Sequence, residues 1–222
     1  MSARAGSRRR PWSAAVWLAG AAPVAWLAVR AVRGDLGANP IEEVLHRLGW
    51  WGLVFLCLTL AVTPVRRITR RPGLSRLRRP LGLIGFGYVA LHFLAYLGLD
   101  QFFDWPYILE DVIERPYIIA GFSGFLILTV LAVTSTRGWI RRLGPRWRKL
   151  HRLLYVAVPL GVLHYYWQVK ADTREPLVFA AVLGLLLAVR LLLARTGRRV
   201  LPDSRRSPMI RRTMRMGRAR EA

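Results

Sequence analysis

The chain has 222 residues, 54% of them hydrophobic, and a formal net charge of +23. Its apolar residues come in long blocks instead of the short periodic runs of a soluble core, which excludes an ordinary globular domain and, despite the charge, a nucleic-acid-binding one. With a single cysteine, Cys57, it can form no internal disulfide, no four-cysteine iron–sulfur site and no CxxCH haem attachment.

Six apolar blocks follow in chain order: Trp12 to Val29, Leu48 to Val65, Leu81 to Leu99, Tyr117 to Thr134, Leu150 to Val169 and Pro176 to Leu193, none with an acidic residue. Each comes close to the roughly twenty residues a helix needs to cross a hydrocarbon layer about 30 Å thick. The opening SRRRPW could begin a twin-arginine export signal, but the apolar run continues to Val29 and the next basic segment falls where an uncut first helix predicts.

Lys and Arg number 4 before the first block, 7 between the second and third, 6 between the fourth and fifth and 10 after the sixth, against 3, 1 and 2 in the alternate connections. The positive-inside rule then predicts two cytoplasmic termini and an even number of spans. The expected fold is an all-α integral membrane protein of the inner (plasma) membrane, a six-transmembrane-helix bundle over residues 12–194. Residues 1–11 form a basic cytoplasmic tail, and 195–222 a second, disordered one lying against anionic membrane lipids.

Apart from Asp100 to Pro116 the connections are short, so chemistry on a large soluble substrate needs a partner. No GxGxxG, P-loop or HExxH motif occurs, and the glycines of GLIGFGY are read as close helix packing. Most of the Trp and Tyr residues cluster near span ends, as an interfacial aromatic belt does.

Histidine carries the strongest functional signal, because a buried ionisable side chain in hydrocarbon is costly. His92 lies 13 residues beyond Arg79 in the third span, and His164 lies 15 beyond Lys149 in the fifth. At 1.5 Å per residue both sit about 20 Å from the basic edge, in the outer half of the bilayer. Two neutral imidazoles level on neighbouring helices can bind a haem iron from opposite faces, with the porphyrin supplying apolar surface. Methionine ligation is poorly supported, since the four methionines are Met1 and three near the C-terminus. His151 is about 20 Å along the helix from His164 and cannot grip the same iron. It serves something nearer the cytoplasm, either as a ligand or flavin contact or in a plain interfacial role. His46 reads as an ordinary loop histidine near the outer interface.

The motifs RRPLGLIGFGYVALH (Arg78 to His92), ERPYIIAG (Glu114 to Gly121), LAVTS (Leu131 to Ser135), WRKLHRLLYV (Trp147 to Val156) and HYYWQVK (His164 to Lys170) occur in that order. Over residues 39 to 194 the chain resembles the haem-binding membrane subunits of periplasmic protein-methionine-sulfoxide reductase systems, which belong with the ferric-reductase-like transmembrane proteins. That resemblance implies a six-helix electron carrier with haem b and FMN as cofactors and His92, His151 and His164 as the family's histidines. Electrons would enter from the quinone pool or a cytoplasmic flavin reductase. They would leave to a periplasmic molybdenum-containing methionine-sulfoxide reductase subunit that repairs oxidised proteins, so the chain would not itself be the catalytic subunit. Larger relatives hold two stacked haems with four histidines, but the position 13 before His92 is Arg79, so one haem held by His92 and His164 is expected.

The basic segment RRLGPRWRK offers charge for a flavin phosphate or an acidic reductase, although orientation by positive-inside bias alone explains it better. The acidic, aromatic loop Asp100 to Pro116 is the expected docking surface for the periplasmic partner. Two other readings stay open: a haem-binding structural or assembly protein without electron transfer, and a small transporter. The second is disfavoured because no carboxylate lies within a span.

Overall fold

The structure, a computed structural model, describes residues 11–169 and 172–199. The remainder of both basic tails, and the expected disorder of the C-terminal one, lie outside the described residues. No strand occurs among the described residues. The helices are α1 (Pro11–Arg33), α2 (Pro40–Ile68), α3 (Arg78–Ala95), α4 (Trp105–Glu114), α5 (Pro116–Val133), α6 (Arg137–Leu143), α7 (Pro145–Leu150), α8 (Leu154–Gln168) and α9 (Arg174–Arg199), with 3₁₀ turns at Pro72–Leu77 and His151–Leu153 and a π turn at Tyr96–Asp100.

Among the described residues, five stretches are long and apolar enough to cross a membrane: Ala14–Arg33, Pro40–Ile68, Pro72–Asp100, Pro116–Val133 and Arg174–Arg195. The block at Leu150 to Val169 takes another form. Its regular part, α8, has 15 residues, about 22 Å of helix, and reaches further only through the 3₁₀ turn and α7, where Arg148, Lys149 and Arg152 interrupt the apolar run.

α2 begins at Pro40, eight residues before its apolar block, because Asn39 caps it, Pro40 occupies the first turn and Glu42 and Glu43 complement the helix N-terminus. The 29-residue α2 is the central helix, with half of its most apolar window buried, whereas α1 and α9 bury only 11% of theirs and sit on the outside. Leu18, Leu185, Leu191 and Leu192 on those outer helices are more than half exposed, a surface suited to lipid.

Two antiparallel helix pairs dominate the packing. In the first, Gly52 of α2 lies against Val89 of α3, Gly85 against Leu56 and Gly82 against Thr59. These contacts bear out close packing for two of the three glycines of GLIGFGY, while Gly87 faces open space. In the second pair, Gly124 of α5 lies against Ala157 and Leu160 of α8. Cys57 is buried in the shared core with Leu56, Leu128, Val158 and Leu183.

α1 joins through a side chain that repairs its backbone. The Tyr88 hydroxyl donates to the Gly20 carbonyl at 2.7 Å and accepts from the Val24 amide at 3.0 Å. It thus bridges the two groups that would bond each other in a regular turn, next to Pro23, which has no amide proton.

Candidate functional site

The two helix pairs build the same device twice. His92, near the end of α3, donates its Nδ1 proton to the Leu45 carbonyl of α2 at 2.9 Å, and its ring rests on Gly49, one turn further along α2. His164, near the end of α8, donates its Nδ1 proton to the Tyr117 carbonyl of α5 at 2.7 Å, and its ring rests on Gly121, again one turn further along. Each histidine and its carbonyl are 47 residues apart. A carbonyl can only accept, so both rings carry their proton on Nδ1, and each neutral imidazole keeps an Nε2 lone pair with no hydrogen-bond partner among the described residues.

The rings come together. Their centroids are 6.1 Å apart and their planes cross at 83°. A metal–imidazole bond of about 2.0 Å places a ring centroid roughly 3.2 Å from the metal, so two rings on opposite sides of one atom stand roughly 6.4 Å apart. No cluster of three or more His, Cys, Asp or Glu suited to a metal ion exists among the described residues. Two imidazoles alone make a poor protein-only metal site, but they suit a metal whose other four positions are filled by a macrocycle. Phe86 and Phe93 of α3 stack with Phe125 of α5, at 6.3 and 4.5 Å between centroids, and join the halves with apolar surface.

A polar chain leads from the connection between α3 and α5 to this pair. Asp111 of α4, only 5% exposed, accepts from the Tyr96 hydroxyl at 3.0 Å and from Arg115 Nε at 2.7 Å. Arg115 Nη1 donates to the Tyr117 hydroxyl at 3.1 Å, and the Tyr117 carbonyl is the acceptor for His164. α4 also exposes Trp105, Leu109 and Ile113 at helical spacing, beside the exposed Phe102 and Phe103.

His46 lies within α2, not in a loop, because the Asn39 cap starts that helix early. Its Nε2 is 3.4 Å from Glu175, and Tyr165 donates to the same carboxylate oxygen, which ties α2, α8 and α9 together at the level of the histidine pair.

His151 stands apart from the pair. Its Nε2 meets the Thr134 hydroxyl at 3.2 Å, its ring stacks on Trp147 at 4.0 Å between centroids, and Trp147 Nε1 donates to the Thr134 carbonyl at 2.9 Å. Because the Thr134 hydroxyl donates to Val130 at 2.7 Å, it accepts from His151, and the three residues clasp the end of α5 to α7.

Comparison with known proteins bears on this arrangement. Residues 48–162 match the family of the ferric reductase like transmembrane component. The protein-methionine-sulfoxide reductase heme-binding subunit MsrQ of Caulobacter vibrioides is 53% identical, over 79% of this chain and 84% of its own length. Its counterparts are 55% identical in Rhodospirillum rubrum, over 83% of this chain and 89% of their own length, and 47% in Herminiimonas arsenicoxydans, over 79% and 82%. The chain belongs to the MsrQ family of ferric-reductase-like transmembrane proteins.

With five membrane-length apolar helices among the described residues, it is a multi-pass membrane protein. The matched segment includes Gly49, His92, Gly121 and His151 but stops two residues short of His164. Sequence reasoning had found both paired histidines but neither glycine and neither carbonyl. The signal was present: Leu45, Gly49 and His92 recur as Tyr117, Gly121 and His164 at a constant offset, yet a repeat of three positions is invisible without knowing which residues touch.

Proposed function

We propose that this chain is the haem b-containing electron-transfer subunit of a protein-methionine-sulfoxide reductase system, in which His92 and His164 would hold one haem. The observation that carries this is the pair of Nδ1-protonated rings 6.1 Å apart, each with Nε2 free. The names of the relatives, heme-binding subunits, support it. When bound, the haem supplies a one-electron carrier in the outer half of the membrane.

The chain's own residues make that site rigid. The Leu45 and Tyr117 carbonyls hold the imidazole tautomer and increase the basicity of Nε2. Gly49 and Gly121 let the rings lie close against helix backbone, so neither can swing away when charge arrives. The stacked rings of Phe86, Phe93 and Phe125 hold α3, which carries His92, against α5, which carries the Tyr117 carbonyl.

In this reading α8 and its preceding turns make the sixth crossing of the inner membrane, and both termini are cytoplasmic, as the Lys and Arg distribution supports. Electrons come from the quinone pool or a cytoplasmic flavin reductase. FMN, if bound, is met on the cytoplasmic side by the basic residues between Arg137 and Arg152, and His151 acts there as a clasp between α5 and α7. Electrons leave past α4 to the molybdenum-containing periplasmic subunit.

The test is spectroscopic. Pyridine haemochrome analysis of the purified chain should give a b-type haem, lost on His92→Ala and on His164→Ala. Full low-spin signal in both variants would contradict the assignment. Stopped-flow reduction by reduced quinone and by reduced flavin separates electron transfer from haem storage.

A further inference from the structure

At the end of the bundle away from the histidine pair, α9 carries a charge inside its apolar run. Arg190 is the only charged residue between Pro176 and Leu193, flanked by Val189 and Leu191. Its guanidinium lies over the Tyr155 ring of α8, 4.7 Å from the centroid. Its Nη1 is buried with no hydrogen-bond partner, and the buried Tyr155 hydroxyl beside it has none either. The other charges acting on Arg190 are Arg78 at the start of α3 and Arg67 at the end of α2, and no carboxylate is among them. Arg190 and the Tyr155 hydroxyl therefore meet without a counter-ion from the described residues, and the charged groups near enough to act on the guanidinium, Arg78 and Arg67, are themselves cations.

An unpaired cation with a buried donor is costly next to hydrocarbon, so this arrangement asks for an anion with several acceptor oxygens. Phosphate fits, since it takes several donors at once from arginines. Basic pockets between spans on the cytoplasmic side are suited to anionic lipid headgroups. The neighbouring Leu191 and Leu192 are 63% and 60% exposed, so the position is reached from the bilayer. The haem proposed above is too distant to supply the anion: Glu175, level with the histidine pair, is 15 residues from Arg190, about 22 Å along α9.

We infer that Arg190, Tyr155, Arg78 and Arg67 form a phosphate-binding site between α2, α3, α8 and α9, occupied by the headgroup of an anionic phospholipid. The site does not depend on haem ligation. In the test, the purified full chain is titrated with phosphatidylglycerol, phosphatidylcholine, FMN and inorganic phosphate, and binding is followed by native mass spectrometry. The wild type should retain phosphatidylglycerol in preference to phosphatidylcholine. Arg190→Gln should weaken that retention about tenfold or more, as expected on losing charge-assisted hydrogen bonds. Tyr155→Phe should weaken it less, and Arg195→Gln, at the same end of α9, should leave it unchanged. Should Arg190→Gln fail to fold, Arg78→Gln and Tyr155→Phe carry the test, with the haem spectrum reporting an intact fold. Displacement of the lipid by FMN or inorganic phosphate would overturn the lipid as occupant. Equal retention of both lipids, or unchanged retention in the folded variants, would overturn the site.

Discussion

Replacing Gly121 by alanine is the sharpest probe of how the histidine pair is held. A Cβ built there falls 2.6 Å from His164 Nδ1 and 3.0 Å from its Cε1 and Cγ, whereas ordinary contact starts near 3.4 Å. The ring must retreat by about 0.8 Å at Nδ1, since repulsion rises steeply inside contact distance. A retreat of that size either breaks the 2.7 Å bond to the Tyr117 carbonyl or pushes α8 off α5. Overpacking of this kind costs about 1–3 kcal/mol, which corresponds to roughly 5- to 150-fold weaker haem binding if it all falls on the ligated state. The equivalent change at Gly49 supplies an internal control, because a Cβ there is 3.3 Å from His92 Nδ1 and needs a shift of only a few tenths of an ångström. The assay is haem per polypeptide by pyridine haemochrome over a range of haem concentrations, with helicity checked by circular dichroism. Gly121→Ala should lose haem or turn high-spin while Gly49→Ala stays near wild type. If Gly121→Ala bound haem as tightly as the wild type with an unchanged low-spin spectrum, the close ring-on-glycine contact would be the wrong account of this site.

Other substitutions test neighbouring parts. Asp111→Asn leaves Arg115 uncompensated near His164 and should raise the haem midpoint potential, whereas Arg115→Gln should lower it; redox potentiometry giving shifts of the same sign would argue for a merely structural role. Tyr88→Phe strands the Gly20 carbonyl and the Val24 amide and should cost about 1–3 kcal/mol, seen as a lower thermal unfolding temperature with an unaltered haem spectrum. His151→Ala should keep the low-spin haem of the His92–His164 pair while loosening the α5–α7 clasp, read as faster proteolysis between Ser135 and Arg152; loss of that haem signal would bring His151 into the site.

Hydropathy and charge are properties of short segments, so the chain alone determined the apolar blocks, their alternating basic and acidic connections, and the equal depth of His92 and His164. It marked Leu150 to Val169 as a full apolar span, whereas the regular helix there is the 15-residue α8, because Arg148, Lys149 and Arg152 interrupt the apolar run before it. It placed His46 in a loop because apolar content marks where a helix enters the membrane, while the Asn39 cap decides where the helix starts. Contacts between distant segments were decided only in three dimensions. The proton position on each imidazole depends on carbonyls 47 residues away, and the value of Gly49 and Gly121 depends on which ring lies over them. The Asp111–Arg115–Tyr117 chain and the unpaired Arg190 likewise arise where helices from separate parts of the chain meet, and no local pattern of residues encodes such a meeting.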